Sequence, residues 1–178
     1  MQNSISSECK IPNRFNIVSF SDIDSKIKLK LKGMIKSGKG MYFWGDCGTG
    51  KTHLVYSIFK QCIDKQIAAK IYNSPEMLDV IRDFYGKRGV DYKDNELKKL
   101  MDYKGLLIID DVGAEKPTEW VAETFYKIIN IRYENKLSTI FTSNLSLDSL
   151  AEKIGDRVPS RIAEMCEIIK LSGSDKRL

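Results

Sequence analysis

The chain has a single histidine, His53, and four cysteines, Cys9, Cys47, Cys62 and Cys166, set far apart with no CxxC pair. A zinc centre needs clustered thiolate and imidazole ligands, and a disulfide scaffold needs closely spaced cysteine pairs, so neither class fits. Long apolar runs are missing too. Nothing approaches the roughly 18–20 residues that cross a bilayer, and the polar start MQNSISSECK has no hydrophobic segment of the secretory kind. The expected setting is therefore cytoplasmic, with no membrane partner. Internal repeats and low-complexity tracts are also absent.

What is present has the composition of one globular domain. A length of 178 residues suits a single core, and 42% hydrophobic with 30% charged residues excludes wholesale disorder. The 29 Lys and Arg against 24 Asp and Glu give a formal net charge of +5. That excess lies in the first 40 residues, where Lys10, Arg14, Lys26, Lys28, Lys30, Lys32, Lys36 and Lys39 face only Glu8, Asp22 and Asp24. The lead segment around 26–39 is expected to form a cationic surface for DNA or a protein partner.

Short runs rich in β-branched and aromatic residues alternate with longer amphipathic stretches. The runs are 41–44, 68–72, 106–109, 138–142 and 168–171. Continuous apolar runs of this length fit strands buried on both faces, and their alternation with helices predicts an α/β fold with a five-stranded parallel sheet. Ser74-Pro75-Glu76 predicts a helix start, with Ser74 as the capping hydroxyl and Pro75 at the first helical position. Trp120, Thr124, Ile128 and Ile131, with Phe125 and Ile129, predict another helix packed on the sheet. KIKLKLK at 26–32 suits a strand by alternation and a helix by Ile27, Leu31 and Ile35; the helix is the favoured reading.

The stretch Gly45, Asp46, Cys47, Gly48, Thr49, Gly50, Lys51 and Thr52 matches GxxxxGK[ST] in full, directly after a predicted strand and opening a predicted helix. Glycines let backbone amides converge on phosphate oxygens, and the helix N-terminus adds partial positive charge. Lys51 can reach the β- and γ-phosphates, and Thr52 can ligate Mg²⁺. ATP and Mg²⁺ are the expected ligands. Leu106-Leu107-Ile108-Ile109-Asp110-Asp111 is an apolar strand ending in two acids, of which Asp110 is the metal candidate and Asp111 the group that orients or deprotonates the attacking water. His53, just past the loop, reads as a packed histidine.

These motifs, with IPNRF, FTSN, GDRVPSR and the terminal GSDKR, make the chain from residue 11 onward resemble the AAA+ domain of the DnaC-type helicase loaders. It is similar as well to the related IstB-type transposition ATPases. The resemblance implies a P-loop NTPase of three α/β/α layers with little or no helical lid. Residues 11–178 would be the ATPase domain, and 1–10 a disordered or truncated lead. It also implies roles for individual residues. Asn144 matches the sensor 1 polar residue, Arg161 the arginine finger offered to a neighbouring subunit, with Arg157 one turn before it, and Arg177 the sensor 2 arginine.

The function implied is ATP hydrolysis in DNA replication, with head-to-tail self-assembly, single-stranded DNA binding and action on the replicative helicase. A transposition helper ATPase is the alternative. A small-molecule phosphotransferase fits the P-loop but not the other motifs, and Asp111 in place of glutamate suggests a non-hydrolysing adaptor as a further alternative. For single-stranded DNA, Lys87 and Arg88 with the aromatic Phe84 and Tyr85 supply the mixture of cations and stacking faces that such binding uses.

Overall fold

The computed structural model describes residues 11–15, 18–86 and 96–173. Short 3₁₀ turns at Asn13–Phe15 and Phe20–Asp22 lead into α1 (Ser25–Ser37), so the alternating KIKLKLK segment is helical. Asp24 caps its N-terminus by accepting from Lys26 N–H at 2.8 Å, and Gly38 closes it in the left-handed conformation. There follow β1 (Gly40–Trp44), α2 (Lys51–Asp64), β2 (Ala69–Asn73), α3 (Ser74–Gly86), α4 (Glu96–Asp102) and β3 (Leu106–Asp110). The chain continues through α5 (Glu119–Glu134), β4 (Thr139–Ser143), α6 (Leu147–Ile154), α7 (Arg157–Met165) and β5 (Cys166–Lys170). All five predicted strands are present within two residues of their expected bounds. No described helix is long and apolar enough to cross a membrane.

The strands form one parallel sheet in the order β2-β3-β4-β1-β5. Successive strand residues face opposite sides, as the pleat requires. Tyr42, Leu107, Ile109 and Phe141 pack with residues of α3, α4, α5 and α7, whereas Met41, Phe43, Ile108 and Ile140 pack with residues of α1 and α2. The result is three layers, with β3 and β4 buried along their whole length. Because the strands are parallel, β1, β3 and β4 all end on one edge of the sheet, the place where open α/β sheets bind ligands.

Two helix expectations need adjustment. Ser74 is the first residue of α3 and lies fully buried, its hydroxyl donating to Glu115 Oε2 at 2.7 Å. The buried stripe of α5 is Val121, Thr124, Phe125, Ile128, Ile129 and Arg132, so Trp120 and Ile131 flank it instead of leading it. Aromatic character alone favours Trp120 inward. The pitch of the helix, anchored by Phe125 and Ile128, places Val121 there.

Candidate nucleotide site

β1 delivers its loop to the C-terminal edge through Gly45, where φ is +153°. A Cβ at this position would sit 2.2 Å from the Leu171 carbonyl oxygen, because the exit of β5 lies against the loop. Only glycine fits there. Gly50, left-handed at φ +88°, then turns the chain into α2 as its N-cap residue, without a side-chain cap. The first-turn amides of α2 are thereby left for an anion, with the helix dipole behind them.

The loop's cation is folded onto its own backbone. Lys51 is buried, and its Nζ donates to the Gly45 and Asp46 carbonyls at 2.7 Å each and to Thr49 Oγ1 at 3.4 Å. Burial pulls its pKa below the ordinary lysine value, partly offset by the nearby Cys47, Asp111, Asp110 and Asp46. These acceptors hold the ammonium at the mouth of the loop, where phosphate oxygens would replace the carbonyls as partners.

Facing it is the end of β3. Asp110 is buried, and its Oδ1 accepts from Thr142 Oγ1 at 2.5 Å and from Thr52 Oγ1 at 3.4 Å. Burial pushes this carboxyl above the ordinary carboxylate range, against the two hydroxyls and Lys51 that hold it down, while Asp111 adds to the rise. Next in sequence, Asp111 takes the left-handed conformation at φ +61°, which aspartate tolerates better than most residues. Its N–H donates to Thr142 Oγ1 at 2.8 Å, and its Oδ1 accepts from Asn144 Nδ2 at 3.2 Å. The predicted Thr52, Asp110, Asp111 and Asn144 therefore meet in one hydrogen-bonded chain. The Thr52 hydroxyl and Asp110 carboxylate are hard oxygen donors on one spot beside the loop, which fits Mg²⁺ chemistry.

The arrangement makes the cost of Asp110 testable. Its folded pKa lies above its unfolded value, so the folded state holds the proton more tightly. Stability of the nucleotide-free protein should then fall as pH rises from the ordinary aspartate range through the raised folded value. Asp110→Asn removes that term. The expected result is a nucleotide-free variant that melts no lower than the parent at pH 7, with a flatter stability–pH curve, and that is no longer stabilised by MgATP. Thermal melts with and without MgATP read both effects, and a large loss of stability in the free variant would contradict the assignment.

Two clefts flank the loop. One, of about 440 Å³, is lined by Lys51, Thr52, Asp111, Thr142, Asn144 and Arg14. The other, of similar volume, is lined by Val18, Ile23, Ile27, Leu54 and Leu171, and shares Gly50 and His53 with the first. The polar cleft suits a triphosphate, and the largely apolar one suits a base held through its faces. The packed histidine expected at 53 is instead exposed on the cleft wall, its ring edge-on to Phe15 with centroids 5.1 Å apart, and Phe15 stacks on Tyr56 at 4.3 Å.

Several contributors had no role in the sequence reading. Thr142 bridges both aspartates, and its signal was available in the FTSN motif. Arg14 reaches the polar cleft from the first 3₁₀ turn, its guanidinium over the Phe15 ring at 4.6 Å. Glu115 is buried and holds the loop after β3, accepting from Gly113 N–H at 3.0 Å and from Ser74. The apolar cleft draws on the 3₁₀ segment, α1, α2 and the exit of β5, a meeting that no local pattern records.

Other predicted residues lie elsewhere. Among the described residues lining the two clefts, neither Arg157 nor Arg161 occurs; both project from α7. Lys87, Arg88 and Arg177 lie outside the described residues, as do the side chains of Phe84 and Tyr85.

Comparison with known proteins agrees with this fold. The profile of the IstB-like ATP binding protein family matches residues 10–178. The replicative helicase loader DnaI of Bacillus subtilis (strain 168) is 29% identical over 153 residues, covering 79% of this chain and 48% of that protein. The ATP-binding protein of insertion sequence IS232 from Bacillus thuringiensis subsp. berliner is 27% identical over 149 residues, covering 81% and 58%. The chain thus spans about half the length of these curated relatives. A crystal structure of the DnaC helicase loader superposes with a TM-score of 0.76 at 27% identity, over 90% of this chain and 100% of that one. With its P-loop AAA+ fold and a profile match over nearly its whole length, the chain belongs to the IstB-like ATP-binding protein family.

Proposed function

We propose that the protein is a helicase-loader-type AAA+ ATPase that hydrolyses ATP between subunits assembled head to tail, binds single-stranded DNA and acts on the replicative helicase. One observation carries the reading. The groups that bind phosphate and prepare water converge on one cleft, while Arg161, with a side chain one-third exposed, stands on α7 apart from it. Such a layout is suited to hydrolysis in which the second copy completes the site.

Bound MgATP supplies the phosphoanhydride, with the metal's charge on its oxygens. Lys51 and the loop amides hold the phosphates, and Thr52 with Asp110 holds the ion. Asp111 orients the attacking water and takes up its proton, with Asn144 fixing the carboxylate through its amide. The oxygen of water bonds to the γ-phosphorus as the bond to ADP breaks, giving phosphate and ADP. Arg161 from the neighbour meets the charge on the transferring group. Lys87 and Arg88 with Phe84 and Tyr85 supply the single-strand contacts.

The transposition-helper reading has its own support in the relative encoded by insertion sequence IS232. Sedimentation and pull-down separate the alternatives. MgATP is expected to convert monomers into larger species that retain a replicative helicase and turn over ATP faster with single-stranded DNA. Lys51→Ala should abolish all three effects. A monomer hydrolysing ATP rapidly without regard to concentration or DNA would overturn the proposal, and retention of a transposase in place of the helicase would assign the second role.

A further inference from the structure

Helices α5 and α7 pack along one seam. On it, two arginines of α7 spaced i and i+4 lie over two tyrosines of α5 spaced two turns apart. Arg157 Cζ is 5.8 Å from the Tyr126 ring centroid, and Arg161 Cζ is 4.9 Å from that of Tyr133. Glu164 completes the second pair. Its carboxylate accepts from Arg161 Nη1 at 3.3 and 3.4 Å and from Tyr133 Oη at 2.6 Å. The guanidinium is thus supported on its face by a ring and along one edge by a carboxylate.

The remaining edge is the informative one. Among the described residues, the hydrogen bonds of Arg161 run through Nη1 alone, and Nε and Nη2 meet no acceptor there. An exposed ion pair holds an arginine only weakly. A ring beneath the guanidinium adds attraction and restricts its rotamers, and the planar fork then meets an oxyanion with little further ordering.

We infer that Tyr133, together with Glu164, is a positioning residue that presents the Arg161 guanidinium, already ordered, to the nucleotide site of a second copy of this chain. The inference rests on the intersubunit role proposed for Arg161 and adds what the GDRVPSR motif does not contain. The platform comes from a different helix. Preorganised charge lowers the barrier because the group need not be ordered during reaction. Folding has already placed this one.

The test compares turnover per assembled subunit with the affinity for a fluorescent ATP analogue, the assembled mass and the melting temperature. Tyr133→Leu keeps apolar bulk on the seam but removes the π face, and is expected to lower kcat about tenfold with the other three readouts unchanged. Tyr133→Phe should retain most activity, since it keeps the ring and loses only the hydroxyl. Glu164→Gln should lower kcat by a smaller factor. Arg161→Ala in the same assay separates the two levels of the argument. If it is deficient while Tyr133→Leu turns over normally, the platform is wrong and the intersubunit reading stands. If Arg161→Ala has no effect, both fall. A rise in turnover with Glu164→Gln would mean that the cluster restrains the arginine, which also overturns the inference.

Discussion

Arg161→Ala is expected to lower ATP turnover of the assembled protein by about 10³–10⁵, the range associated with an arginine finger, while nucleotide binding persists. Binding should survive because Lys51, the loop amides and the polar cleft at the ends of β1, β3 and β4 are built without α7. Arg14, the other cation reaching the polar cleft, stays in place, so any turnover it supports within one subunit would remain in the variant. A mixing experiment settles which subunit the missing charge comes from. Lys51→Ala subunits lack a working loop but carry Arg161, whereas Arg161→Ala subunits keep the loop and lack the finger. Either alone should be inactive, and the mixture should recover a substantial part of the turnover. Failure to recover, with assembly intact, would place Arg161 on its own nucleotide and remove the intersubunit mechanism.

Arg132→Ala is expected to produce the largest loss of stability of any single substitution considered. Arg132 is fully buried in α5, and all five of its N–H groups are used. Nε donates to Thr139 Oγ1 at 2.8 Å, Nη1 to the carbonyls of Leu100 and Tyr103 at 3.0 and 2.9 Å, and Nη2 to those of Gly105 and Ser138 at 3.4 and 2.9 Å. Its acceptors among the described residues are carbonyls and a hydroxyl, including a carbonyl from the last turn of α4, where the helix dipole is negative. Burial pulls the guanidinium down to about 10, so the group stays charged at neutral pH.

One side chain thus ties α4, the connection into β3 and the start of β4 to α5. Alanine would leave buried carbonyls without a donor as well as a cavity, at a cost of about 3–5 kcal/mol. For a chain of this size that corresponds to a fall in melting temperature of roughly 10 °C. Arg132→Lys should fall nearly as far, because three donors on one nitrogen cannot span acceptors on opposite sides of a planar fork. Urea titration or thermal melts check both variants. A loss no larger than about 0.5 kcal/mol, typical of a surface position, would show that the carbonyls find other partners.

The contrast between Lys51 and Arg132 shows what kind of information a sequence carries. Lys51 is legible because its loop is contiguous: the glycines, the cation and the hydroxyl proposed to ligate metal all lie within eight residues, and the flanking strand and helix are local too. Asp110 is legible for a related reason. It ends an apolar run, and parallel strands bring their C-terminal ends to one edge whatever the length of chain between them. Asn144 is marked by the resemblance of FTSN to the loader family. Arg132 carried no such mark. In an amphipathic helix an arginine reads as the polar face, and only the carbonyls of 100–105 and 138, arriving from three other segments, make its burial tolerable. Arg14 and the Tyr133–Glu164 platform escaped notice in the same way, since their partners are distant in sequence.

By itself, then, the sequence determined the parallel α/β architecture, the strand positions to within two residues, the phosphate loop and the acids opposite it. These follow from local periodicity, from backbone freedom at glycine and from the rule that parallel strands end together. Tertiary structure alone decided that Thr142 joins both aspartates, that an apolar cleft forms between the 3₁₀ segment and the exit of β5, that Arg132 is interior, and that Arg161 rests on a ring from α5. The physical reason is common to all four. Each depends on which groups meet after the chain has folded back on itself, so their energies belong to pairs that sequence spacing does not encode.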